Sequence, residues 1–73
     1  MKTLNQLPIN QKAKISKINA QGAIKRRIMD MGLTKGAEIQ VKKIAPLGDP
    51  IEVFVRSYTL ALRKTEAVCI EII

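Results

Sequence analysis

Four stretches of this chain alternate apolar and polar residues with a period of two, and no other feature restricts its fold as much. The clearest is Ile51 to Arg56, where Ile51, Val53 and Val55 fall on one side and Glu52, Phe54 and Arg56 on the other. Alternation of this kind, rich in β-branched residues, marks a strand with one buried face. Lys12 to Ile18 repeats it with Ala13 and Ile15 inward, and Glu38 to Ile44 with Ile39 and Val41 inward. Ala67 to Ile73 places Val68, Ile70 and Ile72 on one face. The segment Ser57 to Arg63 accommodates a further short strand, with Leu60, Ala61 and Leu62 in the core, and Lys64-Thr65-Glu66-Ala67 a single helical turn before the last strand.

Between the first two strands the period changes. Ile24, Ile28 and Met31 stand at i, i+4 and i+7, which predicts one short helix over Ala23 to Met31 with an apolar stripe and with Lys25, Arg26 and Arg27 facing away. Gly32 follows as a left-handed cap, a conformation glycine adopts without Cβ strain, and Leu33 is expected to fold back onto Ile28. Leu47-Gly48-Asp49-Pro50 is a dense set of turn formers between the second and third strands. There is also an internal echo. Leu7 to Ile18 and Leu33 to Ile44 both read as a leucine, a turn and a strand, with Asn10 where the second copy has Gly36. Asn tolerates the left-handed region, so the two turns can share a shape.

The chain's 73 residues leave room for one domain, 1–73, whose core is thin for its surface. Its single cysteine, Cys69, provides no disulfide framework; it lies in an apolar run, reads as a small buried hydrophobe and fits a reducing cytosol. Several short strands with tight turns and one short helix favour a mainly β fold, a small closed barrel of about five strands, because closure hides the edges of so small a sheet.

The composition excludes most chemistry. There is no histidine, and one cysteine cannot build a zinc site. The six acids are scattered singly, and no phosphate-binding or nucleophile-elbow motif occurs. No catalytic residue, metal ligand or cofactor site is therefore expected. No stretch approaches the roughly 20 apolar residues of a membrane span, and Met1 to Gln6 lacks a secretory apolar region, which points to a cytoplasmic protein without direct membrane insertion.

Thirteen Lys and Arg against six Asp and Glu give a net charge of +7, which favours an acidic partner. A nucleic-acid-binding barrel of the ribosomal or transcription-factor type is one such reading. Against it stands the scarcity of aromatics: Phe54 and Tyr58 are too few for the stacking platforms that hold single strands, or for a proline-binding groove.

Arg26-Arg27-Ile28-Met29-Asp30-Met31-Gly32-Leu33, followed by Lys35-Gly36-Ala37-Glu38-Ile39-Gln40-Val41, resembles the FeoA family of small cytosolic components of bacterial ferrous iron uptake. Gly48 to Ile51, Leu60 to Arg63 and Glu66 to Ile72 match in the same order, and Leu4-x-x-Leu7 fits the opening, so the resemblance covers nearly the whole chain. Two departures fall in turns, at Asn10 and at Ser57, where the family often has glycine. The resemblance implies an SH3-like barrel. It also implies a partner, FeoB, a membrane Fe(II) transporter with a cytosolic GTPase domain, which would recruit this protein to the inner face of the membrane. Its part in uptake would be protein contact that tunes nucleotide turnover or assembly. Iron would be the cargo of that system; without histidine this chain is a poor Fe(II) ligand.

Two surfaces are candidates for that contact. The first is the outer helix face of Lys25, Arg26, Met29 and Asp30, where a methionine stands among charges, although Arg26 and Asp30 are also spaced for an i,i+4 ion pair. The second is Phe54 with Arg56 and Tyr58, aromatics beside an arginine on the polar side of a strand, the composition of an interface core. Met29, Phe54 and Tyr58 on the surface would also let two copies pair weakly.

Overall fold

The computed structural model describes residues 2–73. Its elements are β1 (Lys12–Ile18), α1 (Gly22–Asp30), β2 (Glu38–Ile44), β3 (Ile51–Val55), β4 (Tyr58–Leu62), α2 (Lys64–Ala67) and β5 (Ile70–Ile72), with short 3-10 turns at Leu4–Gln6 and Pro46–Gly48. The strands form one antiparallel sheet in the order β4-β3-β2-β1-β5. β1 serves two neighbours: Lys12 to Lys14 pair with β2, and Ile15 to Ile18 pair with β5. A register shift between Ile15 and Lys17 bends the strand there, which is how Ile15 and Ile18, of opposite parity, are both buried.

The alternation in β2 and β3 buries Ile39, Val41, Ile51, Val53 and Val55 and leaves Glu52, Phe54 and Lys42 outside, as their spacing predicts. Leu4, Leu7, Ile28, Leu33, Ala37, Leu62, Ala67, Ile70 and Ile72 complete the core among the described residues. The further strand expected within Ser57 to Arg63 is β4; in it Leu62 is buried, Leu60 half-buried and Ala61 exposed, so the expected core triplet is only partly inside. The last strand is shorter than its sequence suggests. Val68 ends α2 in helical geometry and is 44% exposed instead of facing inward, so pairing begins only at Ile70.

α1 follows Gly22–Asp30, one residue earlier than expected, and only its Ile28 is buried. Met31 is half-buried against the core, but Ile24 is 55% exposed and leaves the expected stripe. The helix therefore meets the sheet through its C-terminal turn. That end is closed by the expected cap. Gly32, at φ 91°, donates to the Met29 carbonyl at 2.9 Å, and Leu33 donates to the Ile28 carbonyl at 3.3 Å. This is the paired hydrogen-bond pattern of a Schellman motif, with Leu33 and Ile28 both fully buried.

The internal echo is a structural pseudo-repeat. Asn10 and Gly36 have φ of 71° and 88°. Asn10 N–H donates to Val41 O at 2.6 Å, and Gly36 N–H donates to Ile15 O at 2.7 Å. Val41 N–H returns to Gln11 O at 3.3 Å, and Ile15 N–H returns to Ala37 O at 3.0 Å. Each turn thus pins the other copy's strand, and the β1–β2 ladder is centred on the equivalent residues Ala13 and Ile39, which pair with each other. The second departure from the family pattern, Ser57, likewise has a positive φ of 71°, in the β3–β4 turn beside Arg56 at 49°.

Candidate partner-binding surface

Because α1 buries only Ile28, the rest of its surface is available. Lys25, Arg26 and Asp30 are exposed and Met29 is 43% exposed; together with Gly22 they line a shallow depression. The i,i+4 ion pair between Arg26 and Asp30 does not form. Among the described residues the ion pair is instead Arg27 Nε to Glu66 Oε2, 3.4 Å, which ties the other flank of α1 to α2. The sequence put Arg27 with the outward-facing residues; its side chain is indeed largely exposed, but its guanidinium reaches down to a buried carboxylate.

Phe54 lies on the outer face of the sheet, 38% exposed. Antiparallel register aligns Lys12 with Gln40 and Gln40 with Phe54, so these three form one row across β1, β2 and β3. Lys42 Nζ stands 5.7 Å from the centre of the Phe54 ring, within cation–π range. Beside this row an open groove of about 570 Å³ is bounded by Lys12, Lys35, Glu38, Phe54 and Arg56.

Arg56 and Tyr58 have a second occupation that the sequence did not disclose. Arg56 Nε donates to the Gly32 carbonyl at 3.0 Å and Nη2 donates to Thr34 Oγ1 at 2.7 Å. The Tyr58 hydroxyl donates to the Met31 carbonyl. The β3–β4 turn is thereby fastened to the end of α1, and the two candidate patches, far apart in sequence, become neighbours on one side of the molecule. Lys12, Lys35, Glu38 and Gln40 were not singled out from sequence. The signal for Lys12 and Gln40 was their outward parity; Lys35 lies in a turn and carried none.

Among the described residues no three His, Cys, Asp or Glu side chains come together to hold a metal ion, and no helix is long and apolar enough to cross a membrane.

An antiparallel five-stranded sheet rolled around a single core, with one short, mostly exposed helix, defines a small SH3-like barrel. The chain belongs to the FeoA domain family, whose model matches residues 2–73, and that family is associated with ferrous iron transport. A FeoA-like protein from Clostridium acetobutylicum superposes with a TM-score of 0.90 at 42% identity, covering 97% of this chain and 83% of that one. FeoA from Stenotrophomonas maltophilia, solved with zinc, matches with a TM-score of 0.87 at 31% identity over 100% of this chain and 91% of that one. It is described as an SH3 domain protein and a candidate activating factor of bacterial ferrous iron transport. A curated relative in Porphyromonas gingivalis strain W83, an Fe(2+) transport protein A/Fe(2+) transporter FeoB fusion protein, is 33% identical over 69 residues. That match takes in 94% of this chain and spans 8% of the fusion protein.

Proposed function

We propose that this protein is a cytoplasmic, non-enzymatic accessory component of ferrous iron uptake that binds a FeoB-type transporter by protein–protein contact and modulates it. The observation that carries this reading is the fusion: in the P. gingivalis protein a segment like this chain is joined to FeoB in one polypeptide. Joining two modules in one chain raises the effective concentration of one for the other, an arrangement that favours partners which must meet. The barrel supplies suitable surface. The outer face of α1 carries Lys25, Arg26, Met29 and Asp30, and the β3–β4 side carries Phe54, Arg56 and Tyr58, all at least partly exposed. In this reading iron is the transporter's cargo and is not handled by this chain, and the +7 charge serves recognition of an acidic protein surface.

The test is binding of the full chain to the detergent-solubilised transporter and to its isolated GTPase domain, with RNA as a parallel ligand, across a salt series. Saturable transporter binding that persists at moderate salt is the expected result. RNA binding alone, with the steep salt dependence of phosphate contacts, would replace the adaptor reading with a nucleic-acid module.

A further inference from the structure

Three adjoining surface depressions among the described residues share walls. Lys35 borders both the groove beside Phe54 and a second hollow formed with Ser16, Lys17, Ile18, Lys25 and Met29. Lys25 and Met29 in turn border that hollow and the depression on α1. The depressions thus adjoin one another in a track from the Phe54 patch to the helix patch, with Lys35 at the junction of the first two and Lys25 and Met29 at the junction of the last two. Six cations line it, against only Glu38 and Asp30. In the middle hollow Ile18 and Met29 give an apolar lining among Lys17, Lys25 and Lys35, and Met29 continues it into the depression on α1, whereas the groove beside Phe54 is more polar.

We infer that this track is a docking groove for an acidic peptide segment of a partner protein carrying one apolar anchor, with the anchor in the Ile18/Met29 hollow and flanking carboxylates on Lys25, Lys35 and Lys12. The inference rests on the adaptor reading above and specifies the chemistry of the partner's contact. Charge complementarity selects an acidic occupant. The apolar lining and the two interspersed carboxylates select a peptide over a nucleic acid: Glu38 and Asp30 would face a phosphate chain with like charge, whereas a peptide can set an apolar residue or a backbone N–H against them. The single aromatic ring on the track, Phe54, is already covered on one side by Lys42, which leaves little surface for stacking bases.

The probe is a fluorescein-labelled 12-residue peptide of Asp and Glu with one central Leu. It is compared with the same peptide bearing Ser for Leu and with a 12-nucleotide single-stranded RNA, by anisotropy and by amide chemical-shift mapping on the full chain. The Leu peptide is expected to bind more tightly than both and to shift the amides of Lys12, Lys25, Met29 and Lys35. Lys35→Glu is expected to weaken it about tenfold, whereas Lys64→Glu, the same charge change off the track, leaves it within a factor of about two. Lys12→Glu is the second variant, and matched thermal melts establish that each variant is folded. Equal losses in Lys35→Glu and Lys64→Glu, equal binding of the Ser peptide, or preference for RNA would overturn the inference. If the wild-type chain binds the solubilised transporter and folded Lys35→Glu binds it equally well, the groove assignment is wrong and the adaptor reading stands. If the wild-type chain binds the Leu peptide as described but no transporter, the groove stands and the adaptor reading fails.

Discussion

The hydroxyl of Tyr58, on β4, donates a hydrogen bond to the carbonyl oxygen of Met31 at the end of α1. It can do so because the next residue is Gly32. A Cβ at that position would collide with the Tyr58 hydroxyl and crowd the Arg56 side chain. Gly32 therefore answers two demands, the positive φ of the helix cap and the close approach of a side chain from the sheet. Gly32→Ala is expected to cost about 1 kcal/mol for the backbone conformation alone, and more with the collision. Tyr58→Phe removes the colliding oxygen. In that background the additional cost of Gly32→Ala should fall, giving a coupling of about 1 kcal/mol in a double-mutant cycle read by urea unfolding. Independent, additive costs would show that the tyrosine does not constrain the cap.

Arg56 completes the same attachment with bonds to Gly32 and Thr34. A lysine keeps the charge but not the forked donor geometry. Arg56→Lys should destabilise the fold by about 1 kcal/mol and speed amide exchange in the turn from Thr34 to Ala37, while a distant turn such as Ala45 to Gly48 stays unchanged. Exchange from Thr34 to Ala37 left as in the wild type would mean that the hydrogen bonds are made too weakly to hold the loop.

The pseudo-repeat makes Asn10 and Gly36 structural equivalents, and nothing lies within 4 Å of the Cβ that a side chain at Gly36 would add. Gly36→Asn should accordingly cost less than about 1 kcal/mol, since Asn accepts the left-handed region. Gly36→Val should cost distinctly more, because a β-branched residue does not tolerate that region. Comparable melting temperatures for the two variants would contradict the assignment.

How much of this was legible in the sequence depended on range. Ile51 to Val55 declared its strand and its buried face by alternation alone, and Gly32 followed by Leu33 declared the helix cap, because both signals lie within a few residues. Asn10 matching Gly36 disclosed a repeat whose crossed hydrogen bonds only the structure could show. Val68 misled because an apolar residue of the right parity also serves to end a helical turn. The surface was harder. Lys25, Arg26, Met29 and Asp30 could be placed on one helix face by periodicity. The attachment of Arg56 and Tyr58 to residues 22 to 27 positions away, and the meeting of Lys12, Lys35 and Phe54 at one groove, are products of chain folding that no local pattern encodes.

Glu66 is a buried carboxylate whose two oxygens have different partners. Oε1 accepts the Arg63 N–H at 3.0 Å, closing the first turn of α2, and Oε2 meets Arg27 at 3.4 Å. The Arg27 side chain is 66% exposed, so solvent screens the pair and Arg27→Ala should cost well under about 1 kcal/mol. Glu66→Gln keeps an acceptor for Arg63 and should behave similarly. Glu66→Ala removes that acceptor and leaves a gap, and should cost about 1 to 2 kcal/mol. Urea unfolding of the three variants checks the order; a large loss in Arg27→Ala would show that the ion pair, and not the backbone contact, dominates.

Ile24 and Ile28 are one turn apart on α1 and read alike in the sequence, yet Ile28 is fully buried and Ile24 is 55% exposed. Ile28→Ala empties a core position beneath the cap and should cost about 2 to 5 kcal/mol. Ile24→Ala removes little buried surface and brings in the best helix former, so stability should change by less than about 0.5 kcal/mol in either direction. If Ile24 belongs instead to a partner-binding face, as its exposure next to Lys25 allows, Ile24→Ala should weaken transporter binding while leaving the melting temperature in place. A melting temperature lowered as far as in Ile28→Ala would return Ile24 to the core and restore the apolar stripe that the sequence suggests.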